Sequence, residues 1–509
     1  MVNFAELEIK RQKIQAELDS LKTQKERNIM GQFSTPITLA NDILKHTANL
    51  RTKNTKVRFL DPAFGTGVFF SALNNVFKLT DIETATGYEI DKYYGNPARE
   101  LWSKTNLKYK IADFTKTVAP NKNKDKFNLI ICNPPYVRHH HINYNKENLQ
   151  ALAFEKAQIK ISGLAGLYCY FIALAHSWMQ INGIACWLIP SEFMDVNYGQ
   201  AIKEYLLNEV TLLQIHRFDP NDIQFNDALV SSTIVWFKNK KSSKKHQVKF
   251  TIGSSITKPR YEKEISIEIL DKETKWTRFP IQSQRFKQIN SKLGDFFTIK
   301  RGIATGDNKF FIIPLTQIKQ LNLPIEYFRP ILPSPRYLDE SEVYADKKGH
   351  PKIRQQLFVL DCKLPIETIK ESCPNLYIYL QEGIRKGVTE RYLCKSRKIW
   401  YAQESRKESI FYCTYIGRSD KKGKNPFRFI LNHSKAIVSN SYLILYPKSN
   451  LQKQIDANPM LSYQIIKALN QITGRNMIDE GRVYGGGMYK LEPKELSKVF
   501  VSDLNNLLD

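Results

Sequence analysis

The chain has 509 residues, of which 42% are hydrophobic and 25% charged, and this composition is typical of a globular protein of several domains. It contains no apolar run of the roughly 18 residues that a membrane-spanning helix needs, and its charged N-terminus lacks the apolar centre of a signal peptide. Lysine and arginine exceed the acidic residues by 76 to 50, and the resulting charge of +26 favours a polyanionic partner, most often nucleic acid. The seven cysteines are dispersed, with no Cys-x-x-Cys pair, so we expect reduced thiols in a cytoplasm and no membrane partner.

The first fifty residues predict two helices. Leu7, Ile14 and Leu21 recur every seven residues within a charged stretch, which predicts a helix over 4–28 that packs on its own domain. The segment "GQFSTPITLANDILKHTANL" then gives a turn followed by an amphipathic helix. In that segment, Thr35 is the expected N-cap and Pro36 the expected first helical residue.

From residue 57 to about 240, short apolar runs alternate with longer amphipathic stretches. This alternation predicts a mainly parallel sheet that is covered by helices on both faces. The predicted strands are "VRFL", "TATGYEI", "LKYKIA", "FNLIIC", "GIACWLIP", "LLQIHRF" and "VSSTIVWF". The predicted helices are "GVFFSALNNVF", "PARELWSK", "GLYCYFIALAHSWMQ" and "NYGQAIKEYLLNE". The last two strands could pair as an antiparallel edge.

A lysine- and serine-rich loop over 238–249 interrupts this pattern, and beyond it short β-like runs, turns and many aromatic and basic residues follow. We therefore predict three segments: an N-terminal helix over 1–30, an α/β domain with a Rossmann-like sheet over 31–245, and a mixed α+β domain over 250–509.

A glycine-rich turn follows the first predicted strand, in "VRFLDPAFGTGVFFSAL". Gly65 and Gly67 allow the backbone to turn tightly and to approach a ligand. The turn lacks the Gly-Lys-Ser/Thr of a phosphate-binding loop, and Phe70 stands where a dinucleotide fingerprint needs its third glycine. By itself, this turn is as typical of plain chain reversal as of a binding site.

Two acidic residues that end the next strands favour a binding site. Glu89 ends "TGYEI", where a carboxylate can accept hydrogen bonds from both hydroxyls of a ribose. Asp113 ends "YKIAD", where its carboxylate could accept from an adenine amino group while Phe114 covers the ring. Since the carboxyl ends of parallel strands share one edge of a sheet, we expect a nucleotide-like pocket there.

The fourth strand ends in Asn-Pro-Pro-Tyr. An aromatic exocyclic amine, such as N6 of adenine, is a poor nucleophile because its lone pair is delocalised. Two acceptors that hold both N–H groups would favour a pyramidal nitrogen, and the Asn133 side-chain oxygen with the Pro134 carbonyl could supply them. Prolines stiffen such a loop, so that its acceptors are preorganised for the transition state. Tyr136 offers a face for stacking.

Together, "GQFSTP", "DPAFGTG", "GYEID", "IADF" and "NPPY" resemble the motifs of a gamma-class N6-adenine DNA methyltransferase of type II restriction–modification systems. The resemblance covers residues 31 to about 240. It implies S-adenosylmethionine as cofactor, no metal, double-stranded DNA as substrate, and a cognate restriction endonuclease that acts independently as a further partner. Such an enzyme flips its target adenine out of the duplex.

The resemblance also implies roles for individual residues. Thr35 and Pro36 would border the methionine moiety, the glycine turn would wrap the methionine and sugar, and the two strand-end acids would hold the ribose and the adenine. The implied cofactor-binding residues are Thr35, Pro36, Asp61, Pro62, Ala63, Gly65, Gly67, Glu89, Ile90, Asp113 and Phe114. The implied catalytic residues are Asn133, Pro134, Pro135 and Tyr136.

An aromatic residue should stack on the target base opposite Tyr136. In "FDPNDIQFNDALV", Phe225 is the preferred match and Phe218 the alternative. The C-terminal half resembles the target-recognition region of the same family in "RGIATGDNKFFII" and "GRVYGGGMYKLEPKEL". There Gly302, Gly306 and the glycines 485–487 could let the backbone approach DNA. The basic residues expected to contact phosphates are Arg301, Lys309, Arg482 and Lys490.

Other interpretations of the sequence remain. The same Asn-Pro-Pro-Tyr chemistry occurs in methyltransferases of RNA and of protein glutamine, but the large basic C-terminal half favours DNA. A fused nuclease would need a further domain, and residues 1–30 are too few to form one. A DNA-binding module without catalysis is disfavoured because all the motif residues are present. Three histidines over 139–141 lack the cysteine or carboxylate partners of a metal site, so a loop near the DNA backbone is the better interpretation.

Overall fold

The computed structural model describes residues 2–52, 55–142, 146–218, 231–280, 291–418, 425–472, 474–484, 488–501 and 504. The chain divides into two compact units, one formed by residues 1–283 with 484–486 and the other by 284–483 with 487–509. None of the described helices combines the length and the apolar character needed to span a bilayer.

The described part of the first unit is built on one nine-stranded sheet. Its strands are β1 (Val57–Asp61), β2 (Ile82–Glu89), β3 (Leu107–Ile111), β4 (Phe127–Cys132), β5 (Met179–Pro190), β6 (Thr211–Arg217), β7 (Ser232–Lys238), β8 (Gln247–Ile252) and β9 (Tyr261–Ser266). Their spatial order is β3-β2-β1-β4-β5-β7-β6-β8-β9. All seven predicted strands are present, and the predicted fold class, an α/β Rossmann-like domain followed by a mixed α+β domain, is confirmed.

Strands β1 to β5 pair with one another in parallel, whereas β7 runs antiparallel to both β5 and β6. The two last predicted strands therefore pair as expected, but they do not form an edge. Strand β8 continues the sheet parallel to β6, and β9 pairs antiparallel with β8. The sheet thus extends past residue 245, where we placed the end of the catalytic domain. The sequence "QVKFTI" over 247–252 has the period of a strand, but we assigned its first three residues to the lysine-rich loop and the rest to the second domain.

Helices flank this sheet. They are α1 (Phe4–Ser20), α2 (Gln24–Met30), α3 (Ile37–Leu50), α4 (Val68–Val76), α5 (Lys92–Leu101), α6 (Lys146–Ala157), α7 (Leu167–His176), α8 (Gln200–Asn208) and α9 (Ile267–Lys272). Two boundaries differ from the predictions. The predicted helix over 4–28 is interrupted because Thr23 and Glu26 form a capping box that starts α2. The predicted start at Pro97 is also wrong, since Asp91 caps α5 and the proline lies inside the helix.

Alternate residues of the central strands face opposite sides of the sheet, as the period of two requires. On β4, Leu129 and Ile131 belong to one buried cluster, with Phe59 of β1 and Leu188 of β5, whereas Ile130 belongs to the other. The sheet is therefore buried on both faces. This explains why its strands read as continuous apolar runs rather than as an alternating pattern.

In the described part of the second unit, short strands and helices alternate around several buried clusters. Its helices are α10 (Leu293–Phe296), α11 (Asn308–Phe311), α12 (Leu315–Gln320), α13 (Ile366–Ser372), α14 (Pro374–Arg385), α15 (Tyr392–Lys395), α16 (Ser449–Ala457), α17 (Leu461–Gln471), α18 (Gly474–Glu480) and α19 (Pro493–Leu496). Its strands are β10 (Phe297–Arg301), β11 (Ile312–Pro314), β12 (Phe328–Ile331), β13 (Glu342–Val343), β14 (Leu357–Leu360), β15 (Phe411–Thr414), β16 (Ile416–Arg418), β17 (Phe429–Asn432), β18 (Tyr442–Pro447), β19 (Arg482–Tyr484) and β20 (Met488–Lys490). These form sheets of order β10-β18-β15-β17-β13, β11-β14-β12 and β16-β20-β19.

Gly31 joins the N-terminal helices to the segment that follows β4. It ends α2 in the left-handed conformation, with φ at +64°, and its carbonyl accepts a hydrogen bond from Tyr136 N at 3.0 Å. A Cβ at this position would lie 2.3 Å from Tyr136 N, so no side chain fits here without moving one of the two backbones.

We therefore predict that Gly31→Ala destabilises the first unit by more than the 1–2 kcal/mol or so that a left-handed alanine costs by itself. Gly65→Ala is the matched control, because Gly65 also has a positive φ, of +55°, but no atom lies within 4 Å of the place that its Cβ would take. Urea unfolding of both variants gives the two losses in the free energy of unfolding. Equal losses would contradict the steric argument.

Candidate active site

A cavity of about 320 Å³ lies at the carboxyl ends of β1 to β4 in the first unit. Four consecutive strand ends meet there because these strands are parallel neighbours in the order β3-β2-β1-β4. The predicted site residues that line the cavity are Pro62, Ala63, Gly65, Glu89, Ile90, Asp113, Phe114, Asn133 and Pro135. The remaining predicted residues of this unit that the structure describes are not among those that line the cavity: Thr35, Pro36, Asp61, Gly67, Pro134 and Tyr136.

Glu89 connects the glycine turn to the end of β2. Its Oε2 accepts a hydrogen bond from Gly65 N and its Oε1 accepts one from Asp91 N, both at 2.8 Å. Burial raises the pKa of the Glu89 carboxyl, and the two backbone donors oppose that shift. Each carboxylate oxygen can accept more than one hydrogen bond, so the group can still bind hydroxyls in the cavity.

Asp61 lies beneath the same turn. Its Oδ1 accepts a hydrogen bond from Ala63 N at 3.1 Å, which fixes the first residues after β1. Burial raises the pKa of Asp61 to about 8, and the neighbouring charge of Glu89 contributes to the shift. Asp61 therefore shapes the turn from below, while Glu89 faces the cavity.

Asp113 presents one carboxylate oxygen to the cavity. Its Oδ1 accepts from the backbone N and from the Oγ1 of Thr115, at 3.0 and 2.7 Å. Its Oδ2 is buried and has no hydrogen-bond partner among the described residues. The exposed ammonium of Lys116 lies 3.6 Å from that oxygen. Thr115 thus orients the acid, a role that the sequence did not indicate.

Two apolar side chains flank the space next to Asp113. The ring of Phe114 is buried against Tyr88, Phe171 and Trp178, with ring centroids 5.4–5.7 Å apart. Ile90 lines the cavity as well and remains 47% exposed. A planar heterocycle between them would be covered on its faces while Asp113 accepts a hydrogen bond from its edge.

The orientation of the Asn133 amide is fixed by the "GQFSTP" segment. Its Nδ2 donates to Phe33 O at 3.0 Å and to Thr35 Oγ1 at 3.1 Å. A backbone carbonyl can only accept, so the nitrogen must face Phe33 and the oxygen must point the other way. That oxygen, Oδ1, is buried and has no hydrogen-bond partner in the described parts of the chain.

Thr35 was expected to cap helix α3, and this prediction is wrong. Pro36 is the N-cap residue of α3, and no side chain caps this helix. The Thr35 hydroxyl instead accepts the hydrogen bond from Asn133, because the chain before α3 runs alongside the Asn-Pro-Pro-Tyr segment.

Contacts with other described residues hold Tyr136 in place. Its hydroxyl donates to Leu188 O at 3.0 Å, its backbone N donates to Gly31 O, and its ring lies 5.5 Å from the ring of Phe33. The side chain is 8% exposed, and burial raises the pKa of its hydroxyl.

Phe225, the preferred stacking partner, lies outside the described residues. Phe218, the alternative, is 3% exposed and packs against His216 in the core.

The first two helices also contribute to the cavity, which we did not predict. Gln15 and Asp19 of α1 and Ile29 and Met30 of α2 line it. A further group of lining residues that we missed is mostly apolar and follows β4: Val137, His141, Ile142, Leu167 and Phe171. In the sequence, α1 shows only charged residues between leucines, which is equally typical of any solvated helix.

The cavity has the opposite charge from the protein as a whole. Its described lining contains three carboxylates, Asp19, Glu89 and Asp113, and no lysine or arginine. The chain carries a net charge of +26, so this local excess of acid is not a consequence of composition. The site therefore suits a ligand that carries positive charge.

Three of the four basic residues expected to contact DNA have partners inside the second unit. Arg301 donates to Asn440 O and lies over the Tyr415 ring, with 4.1 Å between the guanidinium carbon and the ring centroid. Arg482 pairs with Glu495 and Lys490 pairs with Glu492, both at 2.8 Å. Lys309 is exposed. Their contacts with DNA remain predictions.

Two glycines of the second unit that were expected to approach DNA, Gly302 and Gly306, are closely packed inside that unit. A Cβ on Gly302 would lie 2.2 Å from Ser439 O, and one on Gly306 would lie 2.7 Å from Cys394 Sγ. Residues 485–487 lie outside the described residues. Residues 139–141 form a single 3₁₀ turn, and the described residues contain no group of three side chains suited to hold a metal ion.

Comparisons with known proteins agree with this geometry. The family model described as Eco57I restriction-modification methylase matches residues 36–225, and that of the Type II methyltransferase M.Eco57I C-terminal domain matches residues 273–509. The Type II methyltransferase M.AccI of Acinetobacter calcoaceticus is 28% identical over 500 residues, which cover 95% of this chain and 87% of the relative. M.XamI of Xanthomonas campestris pv. amaranthicola is 25% identical over 488 residues, which cover 94% and 86%.

Among solved structures, the Type IIL restriction–modification enzyme MmeI in complex with DNA aligns with a TM-score of 0.53 at 14% identity. The alignment covers 91% of this chain but only 64% of that enzyme. The matched relatives are methyltransferases, and the acid-lined cavity suits a positively charged cofactor, so the chain is a methyltransferase that uses S-adenosylmethionine. The two family models together match most of its length and identify it as a methyltransferase of restriction–modification type.

The raised pKa of Asp61 predicts a pH-dependent stability. Because the folded state favours the protonated carboxyl, its stabilising contribution is complete below about pH 4, the usual pKa of aspartate, and is lost as the pH rises through about 8. We expect Asp61→Asn, which is neutral at every pH, to gain in Tm relative to the wild type between pH 6 and pH 8.5. Scanning calorimetry across this range measures the difference. Asp81→Asn, at an exposed site, is the control, and a pH-independent difference for Asp61→Asn would contradict the assignment.

Proposed function

We propose that this protein is a sequence-specific DNA methyltransferase that transfers a methyl group from S-adenosylmethionine to N6 of a flipped-out adenine. The observation that carries the proposal is the Asn133 amide, whose nitrogen is held by Phe33 and Thr35 and whose oxygen is a buried acceptor without a partner among the described residues. A buried acceptor left in this way costs free energy unless a ligand donates to it. An exocyclic amine is a suitable donor.

The fixed acceptor explains how a weak nucleophile can react. An amine conjugated to a heterocycle shares its lone pair with the π system of the ring, and the lone pair becomes available only when the nitrogen turns pyramidal. Asn133 Oδ1, with the backbone carbonyl of Pro134 as the second acceptor, would hold both N–H bonds in that geometry. Because the acceptor is fixed before the substrate binds, little reorganisation accompanies the reaction. No strong base is required, since the nitrogen becomes acidic only as the new bond forms.

The cavity residues fit the proposed cofactor. Asp113 Oδ2 is a buried acceptor placed to bind an adenine amino group, Phe114 and Ile90 flank the ring, and Glu89 can accept from ribose hydroxyls. When bound, S-adenosylmethionine supplies an electrophilic methyl group on a positively charged sulphur and leaves as the neutral thioether. The acidic lining favours that positive charge in the ground state.

The substrate must present its amine at the lip of β4, and an adenine stacked in a duplex cannot do so. We infer that the base is flipped, at a cost of a few kcal/mol that stacking and backbone contacts offset. Tyr136, fixed through its hydroxyl and ring contacts, would form one face of the base pocket and Phe225 the other.

The basic second unit would supply phosphate contacts and sequence recognition. In a cell, such methylation would protect DNA from a cognate endonuclease.

The proposal is tested by incubating the purified chain with unmethylated genomic DNA and S-adenosylmethionine, and then mapping modified bases at single-base resolution. N6-methyladenine at one recurring sequence is the expected result. If cofactor binding is intact but no adenine is modified, RNA or protein glutamine becomes the substrate to examine, and the DNA proposal fails.

We predict that Asn133→Ala lowers the rate of methyl transfer by at least about 100-fold, the loss typical of removing one preorganised group that acts in the transition state. DNA affinity and S-adenosylhomocysteine affinity should change little. Single-turnover transfer from a radiolabelled cofactor measures the rate, and calorimetry measures binding.

Asn75→Ala is the control for this prediction, because Asn75 is an exposed asparagine on α4 that does not line the cavity. Thr35→Val removes only the hydroxyl that accepts from Asn133, and should lower the rate about fivefold, as expected for one neutral hydrogen bond of about 1 kcal/mol. Full turnover by Asn133→Ala would overturn the assignment of the acceptor.

A further inference from the structure

Helix α1 forms part of the cavity wall although it precedes the residues matched by the family models, which begin at residue 36. Its only expected role was to pack on its own domain. The helix presents Gln15 and Asp19 to the cavity, one helical turn apart.

The buried Arg11, paired with Glu8 within α1, links the helix to the glycine turn through a hydrogen bond to Thr66. Arg11, 4% exposed, makes two hydrogen bonds of 2.7 Å to Glu8 and a third, of 3.1 Å, to Thr66 Oγ1. The Thr66 hydroxyl in turn donates to Gln15 Oε1 at 2.6 Å. Thr66 stands between the two glycines of the turn, so the position of α1 and the position of the turn are set together.

The chain of hydrogen bonds continues to Asp19. Its Oδ1 accepts from Gln15 Nε2 at 2.9 Å and from the Tyr94 hydroxyl at 2.8 Å, and its Oδ2 accepts from the Ser34 hydroxyl at 3.3 Å. Ser34 immediately precedes Thr35, which binds Asn133. Asp19 thus lies between the glycine turn and the segment that orients the acceptor amide.

The negative charge of Asp19 is not balanced by these contacts, because all three donors are neutral. The neighbouring Asp91 is different, since it forms an ion pair of 2.8 Å with Lys22. Of the three carboxylates that line the cavity, the proposed function assigns Glu89 to the ribose and Asp113 to the adenine. Among the described lining residues, Asp19 is the carboxylate that remains, and the cofactor has one strong donor left, the ammonium of its methionine moiety.

We propose that Asp19 binds the α-ammonium of S-adenosylmethionine and is a specificity-determining residue of the cofactor site, with Arg11, Thr66 and Gln15 as the residues that position it. This inference rests on the proposed function. It assigns a cofactor contact to the helix that precedes the recognised motifs. The site would therefore discriminate against adenosine thioethers that lack the amino group.

The test compares S-adenosylhomocysteine with its analogue lacking the α-amino group, by isothermal titration calorimetry on the full chain. The wild type should bind S-adenosylhomocysteine at least about tenfold more tightly than the analogue, as expected for a charge-assisted hydrogen bond. Asp19→Asn should weaken binding of S-adenosylhomocysteine by a similar factor and leave binding of the analogue nearly unchanged. Glu17→Gln removes the same charge from an exposed position on the same helix and should preserve the discrimination.

Each alternative result is decisive. If the wild type binds the two compounds with equal affinity, the ammonium is not recognised and the assignment to Asp19 is wrong. This comparison needs no variant. Equal losses for both compounds in Asp19→Asn would also overturn it, because they would indicate a purely structural role. If the wild type bound neither compound, the proposed function itself would fail.

Discussion

The active-site geometry depends on how one amide group is held. Asn133 follows a buried strand, and its side chain could rotate freely if only its own loop surrounded it. Phe33 and Thr35 remove that freedom by accepting both hydrogens of its nitrogen. The same segment places Gly31 against the backbone of Tyr136, and the absence of a side chain there permits a contact that no other residue would allow. The catalytic segment is thus shaped by residues that precede the sheet.

The second constraint is electrostatic. A protein that binds DNA benefits from an excess of positive charge, but a sulfonium cofactor is repelled by it. The chain meets both requirements by placing acids in the cavity and on the elements around it. Burial raises the pKa values of Asp61 and Glu89, and backbone N–H groups at the strand ends oppose that shift at both residues. Backbone N–H groups, rather than lysine or arginine side chains, donate hydrogen bonds to these two carboxyl groups. The described lining of the cavity therefore contains no lysine or arginine that would compete with the cofactor.

The sequence was sufficient to predict seven strands of the nine-stranded sheet and the residues at its carboxyl edge, because both follow from local patterns. Apolar runs of strand length are bounded by turns, and parallel strands bring their ends together wherever the connections are helical. Contacts between distant segments could not be predicted. The capping role given to Thr35 was wrong because its real partner lies 98 positions later. Asp19 was missed because a charged residue on an N-terminal helix has the same appearance whether it faces solvent or a ligand. Strand β7 inserts between β5 and β6, an order that spacing cannot reveal.

The hydrogen bonds of the Asn133 amide also bear on the order in which the unit folds. They join residues separated by 98 and 100 positions. Closing such a long loop costs conformational entropy, although this cost grows only slowly with the length of the loop. The sheet can form its β1, β2 and β4 pairings without them, whereas the amide acquires its orientation only when the segment before α3 docks. We therefore expect the proposed catalytic segment to reach its final geometry late in folding. Conversely, a local opening that detaches this segment would inactivate the enzyme while most of its backbone hydrogen bonds remain intact.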